Sequence, residues 1–349
     1  MRRRAFITLC LSLAAGGACS ADPDAGDSDA APPPWAGQDS GLGVGGAVEP
    51  GPEAGGSDGA ATQVFPGEGT GYNYWAIAVD DHHVYVTDAT GPDGNVLQIP
   101  KLGGDATVLS RRQMLPMAVR VDAGEVYFLT SDALKRVPVG GNAPETLAEA
   151  TDGQYGAIVT DAEHVYWTNY TQPGSVQRVP KAGGEVVTLA EGDAYPSGLV
   201  LQAGVLYWAA LSDDRIRTVP AAGGEATVFA DAVPAPRLGL AATDTHLYWM
   251  TENQFPMELM RAPLAGGEPE LVARAPSPAS WAVTLVLDDT YAWFTLPECG
   301  LARVALGGGE PEVHSFTQAQ GCPLQLTADA DALYFTSPNG VYRLAKADF

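Results

Sequence analysis

Positive charge is scarce in this sequence. Its 349 residues include 19 lysines and arginines against 42 aspartates and glutamates, which gives a net charge of −23. Because a surface of that charge repels polyanions, nucleic acid and anionic membrane surfaces are excluded as the expected partners. Histidine is also rare, and the 5 residues in the chain are too few for a convincing metal-binding or catalytic cluster.

Motifs of well-known chemistries are missing as well. The sequence contains no Gly-x-Ser-x-Gly, no His-Glu-x-x-His and no phosphate-binding loop. The glycine-rich stretch at 41–46 precedes no helix pattern and is interpreted as a linker. We therefore expect no cofactor and no resident metal, and the sequence identifies no catalytic residue.

Apolar runs long enough to cross a membrane are absent, and the run at 5–15 follows a basic start. This pattern predicts an export signal over residues 1–19. The stretch Gly16-Gly17-Ala18-Cys19 is similar to the acylation site of bacterial lipoproteins, so Cys19 is the predicted lipidation site. An ordinary secretory signal cleaved nearby is the alternative. The arginine pair at 3–4 leaves the export route open between the general secretory and the twin-arginine pathways.

Residues 20–60 have no lysine or arginine and a single aromatic residue, Trp35. Glycine, alanine, proline, aspartate and serine dominate, so the segment cannot bury enough apolar surface to order itself, and we predict a disordered tether. Both alternatives for the chain start place the protein outside the cytoplasm. A lipidated Cys19 would attach it to a bacterial membrane, at the outer membrane, its periplasmic side or the cell surface, and the membrane would be a partner through that anchor only.

Cysteine is limited to four residues. Cys10 is removed with the signal and Cys19 is the acylation candidate, which leaves Cys299 and Cys322 in the folded part. Two cysteines in an exported domain are expected to form a disulfide.

The folded part, residues 61–349, repeats one motif seven times: an apolar residue, an aromatic residue that is usually tyrosine, and often a second aromatic. The first aromatic of each copy is Tyr85, Tyr127, Tyr166, Tyr207, Tyr248, Trp293 and Tyr334, at intervals of 42, 39, 41, 41, 45 and 41 residues. A period near forty with alternating strand patterns and Gly-Gly hairpins is typical of propeller blades of four strands. No segment has a convincing helical period.

The seventh copy ends after its third strand, without a Gly-Gly hairpin or a fourth strand. The missing strand is present before the first copy, where the sequence of residues 61–65 resembles that of residues 226–229. An open last blade would expose unpaired strand edges. We therefore predict an all-β, seven-bladed β-propeller of four-stranded antiparallel blades, closed by an N-terminal strand and monomeric.

The wording of the repeat, clearest at Tyr166-Trp167-Thr168-Asn169, resembles the YWTD propellers of the low-density lipoprotein receptor family. Two departures are visible: those propellers have six blades, and the aspartate of their motif survives only as Asp88. The chain start and repeat style also resemble bacterial propeller lipoproteins. These resemblances imply a scaffold that binds proteins or other ligands, and they carry no catalytic residue to this chain.

Two sets of titratable residues recur at fixed repeat positions. His83, His164 and His246 precede the motif, and equivalent positions on different blades lie well apart, so a structural role is favoured over a ring of ligands. The aspartates follow the first strand, where turn hydrogen bonds explain them better than a ring of carboxylates that binds a cation. They are Asp80, Asp122, Asp161, Asp288 and Asp329.

The four-stranded blade predicts two different faces. The loops after the second strand and the loops between blades share one face, and they vary in length. The residues that begin the blades place aromatic or arginine side chains there, which are typical anchors of recognition surfaces, although packing between blades is the alternative. The predicted ligand-binding residues are Tyr74, Tyr155, Tyr195, Arg237 and Trp281.

The sequence favours a non-enzymatic, extracytoplasmic propeller that binds a protein, peptide or carbohydrate through this face. The alternative is an extracytoplasmic enzyme, such as a lactonase-like hydrolase or a lyase, with a metal in the central funnel. A purely structural envelope protein is a third possibility.

Overall fold

The computed structural model describes residues 61–67, 74–89, 93–149, 156–231, 233, 239–251, 256–276, 284–296, 298–317 and 320–349. The predicted signal, the tether and Cys19 lie outside these residues. The described chain contains 28 β-strands, two short 3-10 helices, Leu211–Asp213 and Lys346–Asp348, and no α-helix. No helix in this part of the chain is long and apolar enough to cross a membrane.

The strands form seven sheets of four antiparallel strands each. Blades one to three contain β2 Tyr74–Val79, β3 His83–Asp88, β4 Gly94–Pro100, β5 Thr107–Gln113; β6 Ala118–Asp122, β7 Glu125–Leu129, β8 Ala133–Pro138, β9 Glu145–Glu149; and β10 Ile158–Thr160, β11 His164–Asn169, β12 Ser175–Pro180, β13 Val187–Glu191. Blades four and five contain β14 Pro196–Gln202, β15 Val205–Ala210, β16 Arg215–Pro220, β17 Thr227–Ala230; and β18 Leu240–Ala242, β19 His246–Met250, β20 Glu258–Pro263, β21 Glu270–Arg274. Blades six and seven contain β22 Leu285–Leu287, β23 Tyr291–Leu296, β24 Gly300–Ala305, β25 Glu312–Ser315; and β26 Leu326–Ala328, β27 Ala332–Ser337, β28 Gly340–Ala345 with β1 Thr62–Pro66.

The strand order follows the chain in the first six blades, whereas the outer strand of the seventh is β1. The first strands of successive blades lie beside one another around the central axis. The contact continues from the seventh blade back to the first, because β26 and β27 both adjoin β2. The predicted seven-bladed propeller is therefore confirmed.

Closure of the ring uses the N-terminal strand, as the truncated seventh repeat predicts. β1 pairs antiparallel with β28, with Thr62 opposite Arg343 and Pro66 opposite Gly340. Val64 is only 4% exposed and packs with the core between the seventh and first blades. The strand that precedes the first repeat thus supplies both a ladder and core packing to the last blade.

The repeated motif packs the blades together. Consecutive residues of a strand point to opposite faces of its sheet, so the first aromatic of each motif contacts the next blade and the following residue contacts the previous one. Each of seven core clusters therefore contains one residue of each kind from adjacent blades: Tyr85 with Phe128, Tyr127 with Trp167, Tyr166 with Trp208, Tyr207 with Trp249, Tyr248 with Phe294, Trp293 with Phe335, and Tyr334 with Val86. A motif written seven times gives seven similar junctions.

The threonine that follows the aromatic pair holds the innermost strand in place. In four blades its hydroxyl oxygen accepts a hydrogen bond from a backbone N–H eleven residues earlier, at 3.0 to 3.2 Å: Ala76 to Thr87, Ala157 to Thr168, Thr284 to Thr295, and Gln325 to Thr336. Since the inner strands have no hydrogen-bonded neighbour on the side of the axis, this bond fixes the start of each of these four blades.

Polar contacts also cross the junctions. An arginine of the third strand donates to a backbone carbonyl of the next blade in three cases: Arg136 to Lys181 at 2.5 Å, Arg178 to Ala221 at 2.5 Å, and Arg261 to Leu306 at 2.6 Å. Three lysines form ion pairs with an aspartate of the preceding blade: Lys101 with Asp329, Lys181 with Asp122, and Lys346 with Asp288. The turn aspartates thus act in the architecture.

The predicted turn role of these aspartates is confirmed at four positions. Asp80 accepts hydrogen bonds from the backbone N–H groups of His82 and His83, at 2.8 and 2.7 Å, and from the hydroxyl of Tyr85 at 2.6 Å. Asp161, Asp288 and Asp329 accept the same pair of backbone bonds in their own blades. Burial opposes the ionisation of Asp80, but these donors outweigh it and hold the pKa of Asp80 below its usual value.

Candidate functional site

The antiparallel blades give the ring two different faces. The first is made by the turns between first and second strands and by the Gly-Gly hairpins, and we call it the hairpin face. The other is made by the loops between second and third strands and by the connections between blades, such as residues 170–174 and 192–195. We call it the loop-bearing face. The sequence predicted that recognition uses this second face.

Backbone strain is concentrated on the loop-bearing face. In the described part of the chain seven non-glycine residues have positive φ angles, and two of them, Ala123 and Ala203, occupy tight turns on the hairpin face. The other five belong to the loop-bearing face: Arg112, Leu115, Tyr195, Asp214 and Cys299. Side chains in the left-handed region cost roughly 1–3 kcal/mol each and persist only where their surroundings hold them. The surroundings of these five residues are therefore well determined.

The structure describes two of the five predicted ligand-binding residues. Tyr74 is 2% exposed and packs in the core between the seventh and first blades, which favours the packing alternative at this position. Tyr195 is 37% exposed. Tyr155, Arg237 and Trp281 lie outside the described residues.

Strand register explains why the two tyrosines differ. Tyr74 pairs with Asp88 and Pro196 pairs with Ala210, and both partners stand three residues after the motif tyrosine. Tyr74 is thus equivalent to Pro196, and Tyr195 precedes that position by one residue. The two tyrosines therefore occupy neighbouring positions of the blade entry, and successive side chains of a strand alternate between directions.

Tyr195 lies beside a second tyrosine that the sequence analysis did not single out. The rings of Tyr170 and Tyr195 are tilted by 45° with centroids 5.2 Å apart, within the range of favourable aromatic pairs. Tyr170 belongs to the loop between β11 and β12, and Tyr195 to the connection from blade three to blade four. The signal that could have revealed Tyr170 is its place in one of the variable loops.

Backbone hydrogen bonds join these two loops. Gly174 donates its N–H to the carbonyl of Asp193 at 2.6 Å, Gly192 donates to Gly174 at 3.0 Å, and Tyr195 donates to Thr171 at 2.9 Å. A Cβ at Gly174 would lie 2.3 Å from Pro196, so only glycine lets the loop approach the start of the next blade this closely. The tyrosine pair is therefore carried by two loops that behave as one unit.

A buried carboxylate connects this unit to blade four. Asp193 is 5% exposed, and it accepts hydrogen bonds from the indole N–H of Trp208 at 2.9 Å and from Arg217 at 2.5 Å. The guanidinium of Arg217 also lies over the ring of Trp208, 5.9 Å from its centroid. A buried carboxylate with such partners fixes the backbone that carries it. This network joins residues of two blades, and no repeat position signals it.

Among the described residues of blades three and four, carboxylates outnumber guanidinium groups on the loop-bearing face. Arg215 pairs with Asp231 at 2.9 Å, and this carboxylate, with lesser effects from Asp213 and Asp193, raises the pKa of Arg215. The described residues of this face in the two blades comprise five carboxylates and two guanidinium groups: Glu191, Asp193, Asp213, Asp214 and Asp231, with Arg215 and Arg217. All of these carboxylates except Asp193 are exposed.

The predicted disulfide is present on the same face. Cys299 and Cys322 are joined, and they belong to the loop after the second strand of blade six and to the start of blade seven. The carbonyl of Cys299 accepts a hydrogen bond from the N–H of Phe316 at 2.8 Å. The disulfide therefore connects loops of two adjacent blades.

The histidines lie away from the tyrosine pair. His82, His83, His164 and His246 are at the turns of the hairpin face, on separate blades apart from the neighbouring pair at 82 and 83. His314 is in the outer strand β25, where burial lowers its pKa. Among the described residues, no group of three or more histidine, cysteine, aspartate or glutamate side chains is arranged to hold a metal ion.

Sequence comparisons give no relative: no family model matches the chain, and no curated protein matches it. Solved structures do resemble its fold. Virginiamycin B lyase from Staphylococcus aureus is 18% identical with a TM-score of 0.67, over 82% of this chain and 99% of that chain. A streptogramin B lyase is 16% identical with a TM-score of 0.68, over 82% and 97%. A chain of a nidogen/laminin complex is 20% identical with a TM-score of 0.50, over 61% and 84%.

These identities establish the propeller fold and nothing finer. The similar structures include an enzyme and a component of a protein complex, so the fold alone does not decide between catalysis and binding. The function has to be argued from the residues on the loop-bearing face.

Proposed function

We propose that the protein is a non-enzymatic binding propeller that holds a ligand or partner protein on its loop-bearing face. One observation carries this proposal: Tyr195 is 37% exposed although the chain around it is held in place by strained backbone and a buried carboxylate. A rigidly held aromatic side chain at the surface loses little entropy when it is covered by a partner. Such residues are the typical anchors of interfaces.

The architecture supports the same proposal. Seven similar junctions make a rigid ring, and binding residues are commonly found on loops that a rigid scaffold positions. The Gly-Gly hairpins of the opposite face are uniform, whereas the two loops that follow the second and fourth strands of blade three carry Tyr170 and Tyr195 in contact. The proposed site is therefore at these two loops.

The enzymatic alternative requires acid, base or metal-binding groups at the funnel mouth of the loop-bearing face. In the part of the chain that the structure describes, the histidines are on the hairpin face or in an outer strand. The buried carboxylate of Asp193 is occupied by Trp208 and Arg217. No specific observation on the described residues favours the alternative.

The proposal includes a location outside the cytoplasm, with the folded part anchored through a lipidated Cys19. Its support is the sequence of residues 1–19 and the tether composition that follows. Cys19→Ala should move the protein from the membrane fraction to the soluble fraction of the producing bacterium. An unchanged membrane fraction would reject the anchor without affecting the binding proposal.

The binding proposal is tested with Tyr195→Ala in the full chain, compared with Leu102→Ala. Leu102 is 91% exposed on the hairpin face, so it controls for the loss of an exposed large side chain. Both variants are passed through a glycan and peptide screen beside the unaltered protein, after melting temperatures are shown to agree. We expect Tyr195→Ala to weaken binding of the ligand found in the screen by about 1–3 kcal/mol, and Leu102→Ala to leave that binding unchanged. Equal binding by all three proteins would place the site elsewhere.

A further inference from the structure

The Cys299–Cys322 disulfide lies close to the strand that closes the ring. Cys299 belongs to the loop after the second strand of blade six, and Cys322 to the connection that runs from the outer strand of blade six to the inner strand of blade seven. Phe316, the first residue of this connection, packs in one core cluster with Ala61, which precedes β1. A short stretch of chain therefore separates the disulfide from the closing strand.

Two bonds tie the connection to the loop of blade six. The N–H of Phe316 donates to the carbonyl of Cys299 at 2.8 Å, and the disulfide joins Cys299 to Cys322. Cys299 has a φ of +63°, and a side chain in the left-handed region persists only where its surroundings hold it. Breaking the disulfide therefore removes one of the two ties and one of the constraints on this backbone.

Between these ties the chain forms a hydrogen-bonded turn. Gln320 and Gly321 donate their N–H groups to the carbonyl of Thr317 at 3.1 and 3.2 Å, and the side chain of Gln320 accepts the N–H of Thr317 at 3.0 Å. A Cβ at Gly321 would lie 3.0 Å from the hydroxyl of Ser337, so the turn also lies against the β27–β28 hairpin. The turn is therefore positioned by Cys322, the residue that follows it.

Gln320 connects this turn to the closing strand. Its side-chain amide donates to the carbonyl of Ala61 at 3.4 Å, and its own carbonyl accepts the hydroxyl of Ser337 at 2.8 Å. Ala61 is 9% exposed and packs with Trp293 and Leu301 of blade six. The turn thus holds the start of β1 against the blade whose loop the disulfide holds.

β1 is an edge strand, and its ends decide how often it opens. It pairs with one neighbour, β28, and their ladder contains a bulge between Gln63 and Phe65. Such strands open locally at a lower free-energy cost than the core. At one end Gly67 donates its N–H to the carbonyl of Asn339 at 2.8 Å, and at the other end Ala61 is held by the turn.

We propose that the disulfide is a redox-sensitive latch on the closing strand: its reduction releases the turn at 317–321 and lets β1 open, while the other six blades keep their fold. The reductant is a dithiol. One of its thiolates attacks a sulfur of the disulfide, its second thiol then closes a cyclic disulfide, and two electrons and two protons pass to Cys299 and Cys322, which become thiols. Both cysteines are partly exposed, so a small dithiol can reach them. This inference does not depend on the proposed binding function.

A latch differs measurably from a cross-link that only adds stability. A disulfide stabilises a protein mainly by restricting the unfolded chain, and this effect changes global unfolding but not the local openings of the folded state. A latch instead changes how often β1 opens. Hydrogen exchange at short times, when global unfolding contributes little, measures that local opening.

The test compares the full-length protein in its oxidised form and after reduction with dithiothreitol, with free thiols counted to confirm the reduction. We expect the amides of β1 to exchange at least about tenfold faster in the reduced protein, and those of β13, the outer strand of blade three, to be unchanged. Reoxidation should restore the slow exchange. The double variant Cys299→Ser/Cys322→Ser should exchange like the reduced protein with or without dithiothreitol, which controls for effects of the reductant elsewhere in the chain.

A matched pair of glutamine variants tests the role of the turn. Gln320→Ala, in the oxidised protein, removes the bond to Ala61 and should also accelerate exchange in β1. Gln177→Ala removes a comparable side-chain bond, to Thr188 in blade three, and should leave the exchange of β1 unchanged.

Three results would overturn the proposal. Equal exchange of β1 in the oxidised and reduced proteins would show that the disulfide does not hold this strand. Equal acceleration in β1 and β13 would show that the disulfide acts on the whole fold. If Gln320→Ala leaves β1 as slow as in the unaltered protein, the turn does not connect the disulfide to the closing strand.

Discussion

The role of β1 in closing the ring can be tested by adding one methyl group to its neighbour β28. Gly340 begins β28, has a φ of +141°, and lies opposite Pro66 of β1. A Cβ at this position would be 2.3 Å from the backbone carbonyl oxygen of Phe65 and 2.9 Å from the side chain of Gln63. Gly340→Ala therefore cannot be accommodated unless the N-terminal strand moves away.

The same chain provides a matched control. Gly309, in the hairpin of blade six, has a φ of +140°, and nothing lies within 4 Å of a Cβ added there. Both substitutions incur the cost of placing alanine at such an angle, roughly 1–3 kcal/mol. Only Gly340→Ala incurs the clash with β1. The difference between the two variants isolates the contribution of closure.

The size of that difference follows from what β1 loses when it is displaced. Val64 is 4% exposed, and burial of such a side chain contributes roughly 1.5–3 kcal/mol. The neighbouring ladder bonds contribute about 1 kcal/mol each. Partial displacement should therefore make Gly340→Ala about 2–4 kcal/mol less stable than Gly309→Ala in urea unfolding.

Hydrogen exchange gives a local measurement of the same event. In Gly340→Ala the amides of β1 and β28 should exchange faster, while those of the inner strands of blades two to five should keep their protection. In Gly309→Ala, β1 should exchange as in the unaltered protein. Equal stabilities of the two variants, with unchanged protection of β1, would refute the closing role of this strand.

Three further predictions concern the junctions. Replacing Cys299 and Cys322 together by serine should cost about 3 kcal/mol of unfolding free energy through the lost cross-link, and thiol titration of the unreduced, unfolded parent should detect no free thiol from this pair. Burial opposes ionisation of Asp288, but Lys346, two backbone N–H groups and an indole N–H outweigh it and lower its pKa to about 2. A carboxylate whose pKa is lowered in the folded state stabilises the fold at pH values above its unfolded pKa of 3.8, and it loses that effect as the pH falls toward 2. Asp288→Asn should therefore make the unfolding free energy depend less on pH between about 4 and 2. An unchanged pH dependence would reject this role. Thr218 stands where other blades have the arginine that bonds to the next blade, and its buried hydroxyl has no hydrogen-bond partner among the described residues. Thr218→Arg should therefore raise the free energy of unfolding by about 1 kcal/mol, because the new guanidinium can reach the carbonyl of Leu264. A loss of stability would reject this role of the third-strand arginine.

Much of the fold was predictable because each part of it is local or repeated. The spacing of the motif tyrosines set the number of blades, and the truncated last copy indicated the closing strand. The turn aspartates followed from hydrogen bonds that span two or three residues. The disulfide followed from counting cysteines in an exported chain.

The candidate site was predictable only in part, because its contacts join loops that no repeat relates. The sequence analysis named both Tyr74 and Tyr195 as residues that begin blades, and a one-residue difference in register buries the first and exposes the second. Tyr170 became visible only when two loops were seen side by side. The bond between Asp193 and Arg217 spans 24 residues and two blades.

Blade four departs from the residues of the other blades at three positions of the repeat. This blade has alanine at Ala209, where four others have the threonine that anchors the inner strand, and Gln202 where others have the turn aspartate. It also has Thr218 in place of the junction arginine, and it uses Arg217 at the neighbouring position to bind Asp193. The repeat fixes most residues of a blade by packing against two neighbours, so a new polar network arises only where some of these rules are relaxed. Blade four relaxes three of them beside the exposed Tyr195, which is the arrangement expected if this junction gave up regular contacts to hold a binding site.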